Sequence, residues 1–188
     1  MRYLHLSFEL LGRGLNYVCI DYVGMRLRRY FIRRREGRRL LEGFASEVGF
    51  SVEELFGGKV AVEVVEESNV KVYMVGGEAR LVEVHGRVVP ALTFRKVVDA
   101  LPRVVVDMGA IPHITNGADV MAPGVVRVDG DFKPESLVAV VDERHGKAIA
   151  VGSALLSSGD MEKAERGKVV KNLHYVGDRA WKLIKHLS

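Results

Sequence analysis

Six histidines, one cysteine and a scatter of serines are the residues most able to do covalent or metal chemistry in this 188-residue chain. Their spacing gives them little to work with. His5, His85, His113, His145, His174 and His186 show no H-x-H or H-x-x-x-H pattern, the spacings that put two imidazoles on one strand or helix face around a metal. Cys19 stands alone, which excludes an internal disulfide and any multi-cysteine metal site. Neither Gly152-Ser153 nor Ser157-Ser158 has the nucleophile-elbow pattern. No G-x-x-x-x-G-K-[ST] loop occurs, and Gly12-Arg13-Gly14 is too short for a dinucleotide loop. The paired acids Glu53/Glu54 and Glu66/Glu67 fall on segments that read as solvated faces. The expectation is a protein that is not an enzyme and holds no metal or cofactor.

Two stretches point to binding instead. RLRRYFIRRREGRR, residues 26–39, carries eight arginines against Glu36, a local net charge of +7 in a chain whose total is +4. Guanidinium forks grip phosphate bidentately, and clustered positive charge draws in nucleic acid by releasing counterions. Arg28, Arg29, Arg33, Arg34, Arg35, Arg38 and Arg39 are therefore candidate phosphate contacts, and Tyr30 and Phe31 between them offer faces for stacking. A solvated surface or a contact with a partner protein explains the same charge. The second stretch is VVDMGAIPHITNGADVMAPG, residues 105–124. Pro112 suits the first turn of a short helix, and Gly117 suits the left-handed residue that ends one. Gly109 and Gly124 remove side chains on either side, which serves close approach of a ligand or tight turns within a small barrel.

The elements that position these stretches follow from periodicity. The basic segment reads as a strand or exposed ribbon running to a turn near Gly37. Leu40, Leu41, Phe44 and Val48 have helical spacing, and Ser51 with Glu54 forms a capping box for a short turn. KVAVEVVEE, NVKVYMV, ARLVEV and VVPAL read as four strands with turns at Gly76-Gly77 and His85-Gly86, followed by a short helix ending at Pro102. Beyond it come short strands about ten residues apart, which predict a small barrel. Asp160 caps a brief helix ended by Gly167, and Asp178 caps a last helix with Trp181, Leu183 and Ile184. The fold class is α+β. The expected domains are an extension over 1–24, an α+β domain over 25–102 and a barrel with short helices over 103–188. Residues 1–24 read equally as a leader preceding a start at Met25 or as an ordered extra element.

No apolar run approaches the roughly 20 residues that span a bilayer, and the start lacks a secretory cleavage pattern. A single cysteine suits a reducing cytoplasm. Glutamine is absent, asparagine occurs four times and Arg outnumbers Lys 18 to 10. Depletion of heat-labile amides suggests a thermophilic source.

On these residues the chain resembles the PUA family of RNA-binding domains. Asp107, Gly109, Ala110, Gly117, Ala118, Met121, Pro123 and Gly124 match its opening block. Gly152 matches the central strand, and Gly167, Asn172, His174, Tyr175, Asp178 and Trp181 match the closing block. The last block, with a preceding α+β domain, is similar to the malignant-T-cell-amplified-sequence subgroup of translation factors, which partner density-regulated protein. The resemblance spans 103–182, is looser over 26–102 and is absent over 1–24. It implies a β-pseudobarrel holding RNA between the short helix and the last strands, as duplex backbone or the 3′ CCA end of tRNA. It also implies work on the small ribosomal subunit in initiation or recycling, with a translation-factor partner docked on the N-terminal domain. Carried over, Gly109, Ala110, His113, Gly117 and Ala118 touch the RNA backbone, and Met121, Pro123 and Gly124 shape the wall beside it. Asp107, Gly152, Gly167, Asn172, His174 and Tyr175 are structural positions. The rival expectations are an accessory protein of ribosome biogenesis or RNA modification, and an adaptor that binds proteins but not RNA.

Overall fold

The computed structural model describes the backbone of residues 5–9, 17–22, 25–58 and 61–188, and the side chains of residues 27–58 and 61–188. The chain divides into two compact units, 1–88 with 183–188, and 89–182. Whether residues 1–24 form a leader lies outside the described residues, except that two stretches of them are strands.

The first unit is built on a seven-stranded sheet in simple chain order. Its strands are β1 (His5–Glu9), β2 (Tyr17–Tyr22), β3 (Met25–Phe31), β4 (Val62–Glu67), β5 (Val70–Val75), β6 (Glu78–Val84) and β7 (Arg87–Pro90). Period-two alternation predicts the later strands, and the Gly76-Gly77 and His85-Gly86 turns sit in the left-handed conformation that tight hairpins need. One row of this sheet is a ladder of alternating charge, Arg28, Glu66, Lys71 and Glu83, directly opposed across β3 to β6. Lys71 lies 3.0 Å from Glu83, which also accepts a hydrogen bond from Tyr73.

The arginine segment folds differently from the expected ribbon. β3 ends at Phe31, and α1 (Arg34–Glu47) starts three residues later with Arg33 as its N-cap. Gly37 is no turn. It is buried within α1, where a Cβ would stand 3.0 Å from Val62 Cγ2, so the missing side chain lets the helix rest on β4. Arginine is a good helix former, and the stripe of Leu41, Phe44 and Ala45 supplies the buried face. The next helix, α2 (Val52–Phe56), begins with the predicted capping box: Ser51 Oγ accepts from Glu54 N and Glu54 accepts from Ser51 N. Phe56 meets Phe44 at 6.4 Å between ring centroids.

The second unit opens with α3 (Arg95–Val98) and then forms a six-stranded sheet. Its strands are β8 (Arg103–Val106), β9 (Val120–Met121), β10 (Val125–Asp129), β11 (Leu137–Asp142), β12 (Ala148–Ala154) and β13 (Lys168–Tyr175), in the order β10-β8-β11-β12-β13-β9. Every pair is antiparallel except β8 with β11. Between strands lie α4 (Ile111–Ile114), a 3-10 turn (Ala122–Gly124) and α5 (Ser158–Glu162). One core gathers Val104, Val106, Ile114, Val120, Phe132, Val138, Val140, Ala150, Met161 and Val170, with side chains from five strands and two helices. At the sheet's β10 end, the register slips at Val126, whose side chain is half exposed.

Ser157, and not Asp160, caps α5: its hydroxyl accepts from Asp160 N and donates to the Asp160 carboxylate. The helix also ends earlier than expected, at Glu162, and Gly167 instead offers its carbonyl to Ala122 N at 2.9 Å. The last helix, α6 (Arg179–Leu187), starts as expected from Asp178, whose Oδ1 accepts from Trp181 N. Among the described residues, no helix is long and apolar enough to cross a membrane.

Asp178 Oδ2 also accepts from Tyr175 N at 3.0 Å and bonds Nδ1 of the fully buried His174 at 2.7 Å. Burial pushes this carboxyl up, but the His174 bond and charge and the two backbone N–H groups outweigh it and hold it below the ordinary value. A depressed folded value means stability that is complete above the unfolded carboxyl range and lost as pH falls through the folded one. Unfolding by urea should therefore cost a constant free energy down to about pH 5 and progressively less below about pH 4. Asp178→Asn should be less stable at neutral pH, with a flatter acid limb in the same titration. A second expectation concerns Gly152 on β12. A Cβ there would run into Val170 Cγ1 and lie 2.7 Å from Lys171 O, so the strands could not close. Gly152→Ala should lose about 1–3 kcal/mol in denaturant unfolding.

Candidate nucleic-acid interface

In the second unit, the glycine-rich block folds into one wall of a cleft. Asp107 closes the approach to α4 by accepting from Ala110 N through Oδ1 at 2.7 Å. Its own N–H donates to Gly124 O at 3.0 Å, tying the approach to the 3-10 turn. α4 is a single turn with Pro112 at its start, followed by Thr115, whose hydroxyl donates back to Ile111 O at 2.9 Å. Four residues cannot hold themselves helical in water. The turn is held from outside, by Ile114 in the core and by Asn172 on β13. The Asn172 amide donates to Ile114 O at 2.9 Å and to Ala118 O at 3.0 Å, while its backbone N–H donates to Asp119 Oδ1 at 3.0 Å.

All three glycines serve contacts within the chain. Gly117 has φ +94°, and a Cβ would lie 2.8 Å from the Tyr175 hydroxyl. At Gly124 a Cβ would press on Ala110 Cβ at 3.1 Å, and at Gly109 on Asp107 Oδ1 at 3.1 Å. Of the two explanations open from the sequence, these contacts fit tight packing.

The resulting cleft has a volume of about 500 Å³, inside the roughly 300–1,000 Å³ of small-ligand sites. Its lining brings together Gly109, Ala110, His113, Ala118, Met121, Pro123 and Gly124 of the expected set, with Asp107. Gly117 does not line it and sits against Tyr175. Among the structural positions, Asn172 braces α4, His174 anchors Asp178, and Gly152 and Gly167 lie at strand contacts.

Sequence reasoning missed Ile114, Val120 and Asp119 in the lining, and Lys168 beside it, whose Nζ reaches Asp119 Oδ2 at 2.9 Å. Asp119 and Lys168 are 49 positions apart, and nothing in either one's local pattern announces the pair. The described lining is mostly apolar, with the carboxylates of Asp107 and Asp119, the imidazole of His113, and no lysine or arginine.

The arginines belong to the other unit. Arg29 forks onto Glu63, Nε at 2.9 Å and Nη2 at 3.0 Å, and is about one-third exposed. Arg38 Nε donates to Glu42 at 2.8 Å, and Arg28 faces Glu66 at 3.9 Å. Arg33, Arg34, Arg35 and Arg39 are exposed and make no ion pair among the described residues. Three of these four stand on the N-cap and the first two positions of α1, beside uncapped backbone N–H groups.

Comparison with known proteins assigns this architecture. Residues 102–176 match the model of the PUA domain family. An uncharacterized protein of Methanocaldococcus jannaschii is 40% identical over 158 residues, which is 82% of this chain and 95% of the relative. Translation machinery-associated protein 20 of Eremothecium gossypii is 30% identical over 139 residues, covering 69% of this chain and 76% of that protein. Among solved structures, a PUA domain of Aeropyrum pernix K1 in complex with tartrate superposes with a TM-score of 0.75 at 30% identity, covering 87% of this chain and 94% of that one. A conserved PUA domain protein of Thermoplasma acidophilum gives a TM-score of 0.63 at 27% identity, over 85% and 99%. The chain belongs to the PUA-domain family that includes translation machinery-associated protein 20.

Proposed function

We propose that this chain is a non-enzymatic RNA-binding protein of the cytoplasmic translation apparatus. It holds a single-stranded RNA end, the CCA terminus of tRNA, in the cleft beside α4 while working on the small ribosomal subunit. The observation that carries this reading is the apolar cleft itself. It is open, about 500 Å³ in volume, and assembled from Ala110, His113, Met121 and Pro123 on a braced scaffold. The names of the translation machinery-associated relatives support the setting. A protein partner on the N-terminal unit belongs to the same reading.

Walls without a cation give RNA little long-range attraction, so most of the phosphate affinity comes from the exposed Arg33, Arg34, Arg35 and Arg39. Arginines at a helix N-terminus oppose the helix macrodipole, each at a cost of about 0.3–1 kcal/mol. Binding of a polyanion relieves that repulsion.

Sucrose-gradient sedimentation with purified ribosomal particles tests the setting. Co-migration with mature small subunits is expected. Migration with precursor particles alone would move the protein to ribosome biogenesis, and capture of a protein without any RNA would make it an adaptor. In filter binding, tRNA lacking its CCA end should bind more weakly than intact tRNA. The Arg33/Arg34/Arg35→Ala variant should retain that dependence while its log–log salt slope becomes shallower, by roughly 0.7–0.9 for each phosphate no longer neutralised. An unchanged slope would remove these arginines from the interface.

A further inference from the structure

The cleft's charges are arranged in a way that RNA binding alone does not require. A surface meant to grip the RNA backbone would present cations, yet the described lining holds two carboxylates and no lysine or arginine. Asp107 is accounted for by its turn, since Oδ1 accepts from Ala110 N. Asp119 is different. Its two oxygens accept from Asn172 N and Lys168 Nζ, one bond each. An ionised carboxylate has about four acceptor positions, and this side chain is 27% exposed. Acceptor capacity therefore remains on a residue of the cleft lining. Burial pushes the Asp119 carboxyl up, but the Asn172 N–H and Lys168 more than offset it, so the group stays ionised and can only accept.

Lys168 completes the arrangement from the rim. Its residue pairs with Met121 across β13 and β9, next to the cleft wall, and its side chain is 62% exposed. Lys171 is exposed on the same strand and adds positive potential at Asp119.

We propose that Asp119 is the residue that selects the base in the cleft, accepting a hydrogen bond from an exocyclic amino group, while Lys168 takes the adjoining phosphate. This rests on the RNA-binding reading above and adds the chemistry of its choice. A phosphodiester inside the cleft would meet two acidic residues and no lysine or arginine in the lining, Lys168 outside it being already paired with Asp119. A neutral base meets apolar contact from Ala110, Met121 and Pro123. Adenine, cytosine and guanine carry amino donors on their pairing edges, where a carboxylate receives them. Uracil presents carbonyl oxygens on both sides of its one ring N–H, and those oxygens face the Asp119 charge unfavourably. The cleft therefore admits a base that carries an amino group and discriminates against uracil. The two groups are paired at 2.9 Å, yet their roles differ, one an acceptor for the base and the other a cation for the phosphate.

Fluorescence anisotropy of labelled single-stranded oligo-A, oligo-C and oligo-U pentamers on the full chain tests this, at roughly 0.15 M salt so that the arginine patch is screened. The wild type should favour A and C over U by about tenfold, the scale of one specific base contact. Asp119→Asn should bring the three pentamers to within about twofold of one another; its amide oxygen can still accept from Asn172 N, which preserves the local bracing. Lys168→Met should weaken all three alike and keep the preference. Equal binding of A, C and U by the wild type would overturn the proposal, with no variant needed. So would a preference that survives Asp119→Asn, or one that disappears in Lys168→Met. If tRNA binds and no base preference exists, the RNA-binding reading stands and this inference alone falls. If neither tRNA nor any pentamer binds, both fall.

Discussion

One side chain and its own backbone N–H hold the cleft together. Asn172 donates to Ile114 O and Ala118 O through its amide and to Asp119 through its backbone. Those three acceptors belong to a helical turn too short to persist by itself and to the loop that leaves it. Without Asn172, Ala118 O would lose this donor and Ile114 O would keep only the N–H of Gly117. The strand that carries Asn172 can run there only because Gly152 lets β12 and β13 approach within the width of a side chain. Barrel closure, helix bracing and the placement of Asp119 are thus consequences of one strand's position.

The two candidate binding surfaces divide the physical work. The cleft is preorganised: its glycines are taken up by internal contacts, its acids are oriented by hydrogen bonds, and nothing in its lining must rearrange to make a cavity. Such a surface gives selectivity with little long-range pull. The arginine turn of α1 is the opposite. Its charges stand in water, screened beyond about 8–10 Å, and confer attraction without a shaped pocket. A protein that both finds an RNA and recognises its end needs the two properties, and this chain keeps them in separate units.

Much of this is legible in the residues. Alternation in VEVVEE and VKVYMV, the glycine and histidine turns, the Ser51/Glu54 box and the Asp178 cap are local signals, and each has its expected counterpart. The segment around Gly37 misleads because glycine next to charge usually marks a turn, whereas here it marks the point where a helix touches Val62. Ser157 is easily missed as the α5 cap because Asp160 offers the same chemistry three residues later. In the cleft, residues of one contiguous block can be grouped from sequence, since a short helix and its flanks fold as a unit. Lys168 cannot, because only the pairing of β13 with β9 brings it to Asp119. The role of the glycines is likewise undecidable without knowing that Tyr175, Ala110 and Asp107 fill the spaces they leave.

The slip in register at Val126 has a consequence for the chain's life in concentrated solution. β10 stands at the end of its sheet, and an end strand offers unpaired backbone groups to any other extended segment that drifts past. An irregular residue breaks the even spacing such a visitor needs and bends the strand away from flat. The neighbouring Arg127–Asp129 pair, 2.9 Å apart, adds charge that a growing stack of strands would have to bury. The sheet is therefore closed to self-templated growth at this edge, and an exposed valine that looks like a hydrophobic liability is part of what keeps molecules from adding to one another.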